Sequence, residues 1–240
     1  MATTDMAFAA FVIHSRPYRE TSQLVDVFTR EQGRQSLVAK GSRQPRSPLK
    51  GLLQPFVPLR LAFAGKGELK NLHSAEASGP AIPLTGAALY SGLYLNELLY
   101  YLLETQTPFD EVFEAYYKTL KKLASGDAIE PCLRHFEFYM LNILGYGVDF
   151  TQDALTGDAI RPEGWYGYQP ESGFIALAQA EPGAYPGEHL YALAELDLSR
   201  VEVLASAKRF SRQALGPYLG GRPLRSRALF IKGKRGSRSE

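Results

Sequence analysis

The 240-residue sequence holds a single cysteine, Cys132, so it can form neither an internal disulfide nor a thiolate metal cluster. That scarcity fits a reducing compartment, and a cytoplasmic protein is expected. Long hydrophobic runs are missing as well. The apolar stretch from Met6 to Ile13 is eight residues long and lacks the basic start of a signal peptide, so it reads as a first strand. Residues 77–96 carry no charge, but Gly79, Pro80, Pro83 and Gly86 interrupt them, and no membrane span is expected. Enzyme signatures are also absent: there is no G-x-S-x-G elbow, no Walker A loop and no G-x-G-x-x-G behind a strand. His14, His73, His135 and His189 are scattered without ligand spacing, so no cofactor or metal is expected. What remains has the character of a binding protein.

Acid is missing from two long segments. Residues 32–67 contain seven Lys/Arg and residues 203–239 contain ten, and neither holds an Asp or Glu. The intervening residues 68–202 carry seven bases against twenty acids, so a formal net charge of +2 conceals a strongly dipolar chain. Basic ends of this kind suit a polyanion.

Up to about Ala77 the pattern is β. Apolar runs at 8–14, 22–29, 34–40, 52–63 and 68–74 are separated by turn signals, among them Gly33 and the pair Gly65 and Gly67. Five strands in under eighty residues suit a closed barrel of the oligonucleotide/oligosaccharide-binding (OB) kind, because closure removes exposed edges. Period two in "LLQPFVPLRLAF" puts Leu53, Val57, Leu59, Leu61 and Phe63 on the core face, leaving Gln54, Phe56 and Arg60 outward. Past residue 80 the period becomes helical. Helices are expected from Leu84 to Glu104, after the "TPFD" start at Thr107, after Asp127, and from a Ser199 cap to Leu215. The fold class is therefore α+β: an OB barrel over 1–79, then a mainly helical domain over 80–240. The second part has an irregular insert at about 146–190, including the hairpin "GWYGYQPESGFIAL", and a basic C-terminal segment.

The loop "VAKGSRQPRSPLKG" (38–51) concentrates Lys40, Arg43, Arg46 and Lys50 without one acid. Buried loops avoid unpaired charge, so these side chains must meet water or an anion. Pro45 and Pro48 should hold the loop extended. The sequence assigns these four residues to phosphate contact, with Arg34, Arg60 and Phe56 beside them, Phe56 either as a base-stacking ring or as a cover for the barrel end. Lys208, Arg209, Arg212, Arg222, Arg225 and Arg227 would extend the track.

Several stretches resemble the RecO family of bacterial recombination mediators in order and spacing. They are "AKG" with the basic loop, "LQPF", "GKGELKNLHSAE", "YLNELLYYLLE", "LGYGVDF" and "AKRFSRQALGPYLGGRPLRSR". The last resembles the enterobacterial type. The resemblance implies an OB barrel joined to a helical domain and ATP-independent binding of single- and double-stranded DNA. It also implies strand annealing and partnership with RecR and with the acidic C-terminal tail of single-strand DNA-binding protein. RecA would thereby load onto coated DNA, and the protein would associate with the nucleoid. Many members carry a four-cysteine zinc site; "YGVDFTQDALTGDAI" has no cysteine, so zinc is not expected. A receptor for an acidic tail needs an apolar hollow with a cation at its rim, for which Lys121 and Arg134 are the candidates, each alternatively a solvated helix charge. The rival readings are an RNA-binding OB protein of translation or RNA processing and an enzyme acting on a nucleotide polymer.

Overall fold

The computed structural model describes residues 6–226, 228 and 229. Strands β1 (Phe8–Tyr18), β2 (Ser22–Thr29), β3 (Gly33–Ala39), β4 (Leu59–Ala64) and β5 (Leu69–Ala77) close into a barrel in the order β1-β2-β3-β5-β4. Only β3 and β5 run parallel. A four-residue helix α1 (Leu49–Leu52) stands between β3 and β4, giving an OB-like barrel. Alternation decides which side chains fill it. In β3, Gly33, Gln35, Leu37 and Ala39 are buried while the residues between them are half-buried. Leu37 and Ala39 meet Val25, Val27, Leu59 and Leu61 in the barrel core.

The fourth apolar run is not one strand. Pro55 and Pro58 cannot donate to a ladder, so pairing is delayed until Leu59, and the residues before it turn instead. Gly33 is required at its position on two counts: its φ is +64°, and a Cβ there would lie 1.9 Å from the carbonyl oxygen of Thr107.

Helices α2 (Gly86–Leu102) and α3 (Asp110–Ala124) cover part of the barrel wall. Phe11 of β1 meets Tyr116 edge-on at 5.3 Å, and Phe28 of β2 meets Phe113 at 5.5 Å. Tyr116 is fully buried and its hydroxyl donates to Asn96 Oδ1 at 2.6 Å. Burial pushes its phenol far above the usual range. Arg30 at the end of β2 is held by Asp110 at 2.9 Å and by Glu114. Phe109 rather than Thr107 occupies the cap position of α3.

Two compact units emerge. One comprises the described residues of Met1–Ile129 and Pro223–Glu240; the other is Glu130–Arg222. Compactness thus groups α2 and α3 with the barrel, whereas the change from strand to helix falls near residue 80. The chain returns to the first unit through a clasp. Glu97 of α2 accepts the backbone N–H groups of Arg225 (2.8 Å) and Ser226 (3.0 Å) and the Ser226 hydroxyl (2.5 Å). Arg225 and Ser226 are helical, so the carboxylate sits where a helix start offers unbonded donors.

The second unit contains α4 (Ile129–Ile143, less its first residue), β6 (Trp165–Gln169), β7 (Gly173–Leu177), β8 (Tyr185–Pro186), α5 (Gly187–Ala194) and α6 (Val201–Leu215). The expected hairpin is β6–β7, and β8 adds a third strand on the far side of β6. Phe210 of α6 anchors an aromatic core, with the rings of Phe138, Phe150, Tyr168 and Phe174 all within 5.7 Å. Arg200, not Ser199, caps α6; the Ser199 N–H is taken by Asp197. Burial alone would raise the Asp153 carboxyl, but N–H groups of Ala176, Leu155 and Thr156 outweigh it and hold it below the usual value.

Candidate nucleic-acid interface

Across the outer wall of the barrel, β1, β2 and β3 bring side chains into rows. His14 pairs with Asp26 and Asp26 with Ser36; one row further on, Arg16 pairs with Leu24 and Leu24 with Val38. Tyr18 follows opposite Ser22. Partners in register share a face, so the wall divides in two. The lower rows lie under α2, where the Tyr100 ring stands 5.1 Å from His14 and 5.1 Å from the Arg34 guanidinium. The upper rows are open and carry Arg16 and Tyr18.

The basic loop joins this open half. It is not extended: Gly41–Gln44, Gln44–Ser47 and Ser47–Lys50 close successive turns that lead into α1. Ser42 is buried and donates to the Ala39 carbonyl. Arg43 staples the loop to the β1–β2 turn. Its N–H donates to Thr21 O at 2.9 Å, and its Nη1 donates to Arg19 O at 3.2 Å and Glu20 O at 3.3 Å. Carbonyls fix a guanidinium without cancelling its charge. Lys40, Arg43, Arg46 and Lys50 are exposed, as are Arg16 and Arg19 in the turn. Among the described residues none of the six forms an ion pair. Arg19 lies over the Tyr18 ring at 5.2 Å, placing a cation and an aromatic face at the hairpin tip.

Arg16, Arg19 and Tyr18 escaped the sequence reading. Pro17 breaks the strand pattern, so β1 was expected to end at His14; in fact it runs to Tyr18 with Pro17 opposite Gln23. The available signal was "RPYRE", two arginines around an aromatic at a turn.

Other expected residues are used internally. Phe56 is 5 % exposed, not outward, because the turn after α1 breaks the period-two phase. Its ring packs so closely on α2 that a Cβ at Gly92 would lie 2.8 Å from it. Arg34 donates to Leu103 O at 3.1 Å beneath α2. Arg60 is exposed but donates to Ala7 O and stands directly across from Glu76. In the second unit, Lys208 pairs with Glu130 at 2.6 Å. Arg209 lies 3.9 Å above Tyr185 and donates to Ala184 O. Arg134 is buried against fully buried Glu137 at 2.6 Å, so it forms no pocket rim. Lys121 rests over the Tyr117 ring at 4.1 Å on the exposed face of α3. Arg212, Arg222 and Arg225 are exposed. Arg227 lies outside the described residues.

The His14–Asp26–Ser36 row has triad residue types without triad geometry. Ser36 donates to Asp26 Oδ1 at 2.5 Å, and the His14 ring meets Asp26 Oδ2 at 3.2 Å. The hydroxyl faces the carboxylate and not the imidazole, so no base activates it. Among the described residues no cluster of His, Cys, Asp or Glu could hold a metal, and no helix is long and apolar enough to cross a membrane.

Known proteins match the chain along its length. The family model described as Recombination protein O N terminal matches residues 1–81, and that described as Recombination protein O C terminal matches residues 83–228. "DNA repair protein RecO" of Enterobacter sp. (strain 638) is 52% identical over 222 residues, covering 92% of this chain and 94% of that protein. The proteins of the same description from Salmonella dublin and from Klebsiella pneumoniae (strain 342) are each 52% identical over 222 residues. They cover 92% of this chain and 92% and 91% of their own lengths. With the OB-like barrel in place and both family models matched, the chain belongs to the RecO family.

Proposed function

We propose that this protein is a non-enzymatic mediator of DNA repair and recombination that binds single- and double-stranded DNA and anneals complementary strands. With RecR it would help load RecA onto single strands coated by single-strand DNA-binding protein, whose acidic tail it would engage. The observation that carries the DNA-binding core of this reading is the set of six exposed cations on the open half of the barrel wall. Arg43 is fixed by backbone carbonyls, and among the described residues all six are left without carboxylate partners. Phosphate contacts carry no sequence information, which suits a protein that must anneal any pair of strands. Screening by such cations also lets two polyanions approach each other. Tyr18 adds a ring on which an unpaired base can stack.

The site reduces to the barrel unit. Lys208 has its charge answered by Glu130, while Arg209 is engaged by the Tyr185 ring and a carbonyl, and the loop and the β1–β2 turn are read as the polymer's main seat. Salt titration tests this. Six phosphate contacts give a slope of about −4 in log affinity against log salt for single strands. Changing Lys40, Arg43, Arg46 and Lys50 together to Ala should leave a slope of about −1.4 with the melting temperature nearly kept. An unchanged slope removes the loop from the site. A strong preference for RNA over DNA of equal length would favour an RNA-binding role instead.

A further inference from the structure

In the second unit a cavity of about 330 Å³ opens where three segments meet: the chain after α4, the β6–β7 turn, and Tyr218 beyond α6. Its ten lining residues include three tyrosines and two carboxylates, and no Lys, Arg or His. Tyr146 and Tyr218 stack at 3.6 Å with 17° between their planes, forming a slab on one side. Asp149 spends one carboxylate oxygen on the N–H and hydroxyl of Thr151, and those bonds keep it ionised below the usual carboxylate range. Among the described residues its second oxygen has no hydrogen-bond partner. Glu171 sits in the hairpin turn at φ +67° and forms no ion pair among the described residues. Glu171 lines the same cavity as the slab, and the Tyr218 phenol is raised by burial, then by Tyr146 and by Glu171. The surrounding sequence agrees in sign: residues 130–222 hold seven Lys/Arg against twelve Asp/Glu.

We propose that this cup receives one arginine side chain of a basic protein partner, its guanidinium against the Tyr146–Tyr218 slab and its N–H groups on Asp149 and Glu171. Aromatic faces and carboxylates together select a cation that is both planar and multiply donating. A lysine supplies the charge without the plane or the fork. The volume is at the small end of ligand pockets, of order 300–1,000 Å³, and suits a side chain better than a polymer. An acidic tail would meet like charge here, so the cup is distinct from any acidic-tail receptor. The inference does not rest on the DNA-binding reading, since every residue it uses lies in the second unit.

The test uses the full chain labelled with fluorotyrosine, with resonances assigned through Tyr146→Phe and Tyr218→Phe. The blocked peptide acetyl-Gly-Arg-Gly-amide should shift the Tyr146 and Tyr218 signals saturably. The neutral citrulline counterpart, and the arginine peptide on Glu171→Gln or Asp149→Asn chains of unchanged melting temperature, should bind at least about tenfold more weakly. Absence of a saturable shift overturns the proposal. So does equal binding of the citrulline peptide, or tighter binding of acetyl-Gly-Asp-Gly-amide. Equal binding of the lysine peptide overturns the assignment to arginine. A salt slope for DNA that is unaltered in Glu171→Gln is expected, and it keeps this result separate from the fate of the barrel site.

Discussion

Arg43 combines two functions that substitution can separate, because it is both a cation of the interface and the staple between loop and hairpin. Its two carbonyl contacts, at 3.2 and 3.3 Å, are long and exposed. They therefore contribute on the order of 1 kcal/mol to loop order, equivalent to about fivefold in an equilibrium constant. Arg46 is equally exposed, and its side chain has no such staple. Arg46→Ala should therefore reduce the salt slope by about 0.7 and do little else. Arg43→Ala should lose the same slope and, in addition, up to about fivefold in affinity at every salt concentration, as the loop samples other arrangements. Arg43→Lys restores the charge but not the fork that spans two carbonyls, so the slope should return while the fivefold deficit persists. Anisotropy of a labelled oligothymidine across a sodium chloride series measures both quantities, and thermal melting shows that the fold is intact. The reasoning fails if Arg43→Lys matches the parent at all salts while Arg43→Ala matches Arg46→Ala, since the staple would then be idle. An Arg46→Ala slope equal to the parent's would sink the phosphate assignment itself.

Two further outcomes check the remaining structure. Phe56→Ala empties a buried site against Gly92 and should cost about 3–5 kcal/mol of stability, read from denaturant midpoints. Folded Phe56→Ala protein should keep the parent salt slope, and a selective loss of single-strand binding would return Phe56 to the interface. Asp153 has a lowered folded-state pKa, so its contribution is present above its unfolded value near 4 and is lost as pH falls through the folded value. Asp153→Asn should accordingly destabilise by about 1–3 kcal/mol at pH 7. The gap from the parent should narrow below about pH 4, and a gap independent of pH would contradict the sign.

Much of the architecture was legible because it depends on neighbours in sequence. Alternation placed Leu59 and Leu61 in the barrel, and Gly33 announced its turn. The charge run 38–51 identified the loop, since exposure of unpaired cations is a local requirement. What escaped depends on residues far apart. Glu130 lies 78 positions from Lys208, and no local signal tells that this lysine is answered while Lys40 is not. The same holds for Arg134, whose burial is set by the packing around α4. Phe56 was misassigned because a period-two argument presupposes an unbroken strand, and two prolines with a short helix interrupt this one. Arg16 and Arg19 were passed over because Pro17 reads as a strand end, yet an edge of the hairpin tolerates it.

The clasp at Glu97 also bears on synthesis. The ribosome makes the chain in order, and Glu97 has 128 further residues to wait before Arg225 arrives to occupy it. Everything from Glu130 to Arg222 is contiguous and can settle in the meantime, whereas the body that begins first is completed last. A chain truncated shortly before Pro223 would therefore carry an intact second body and an N-terminal one whose carboxylate still faces water.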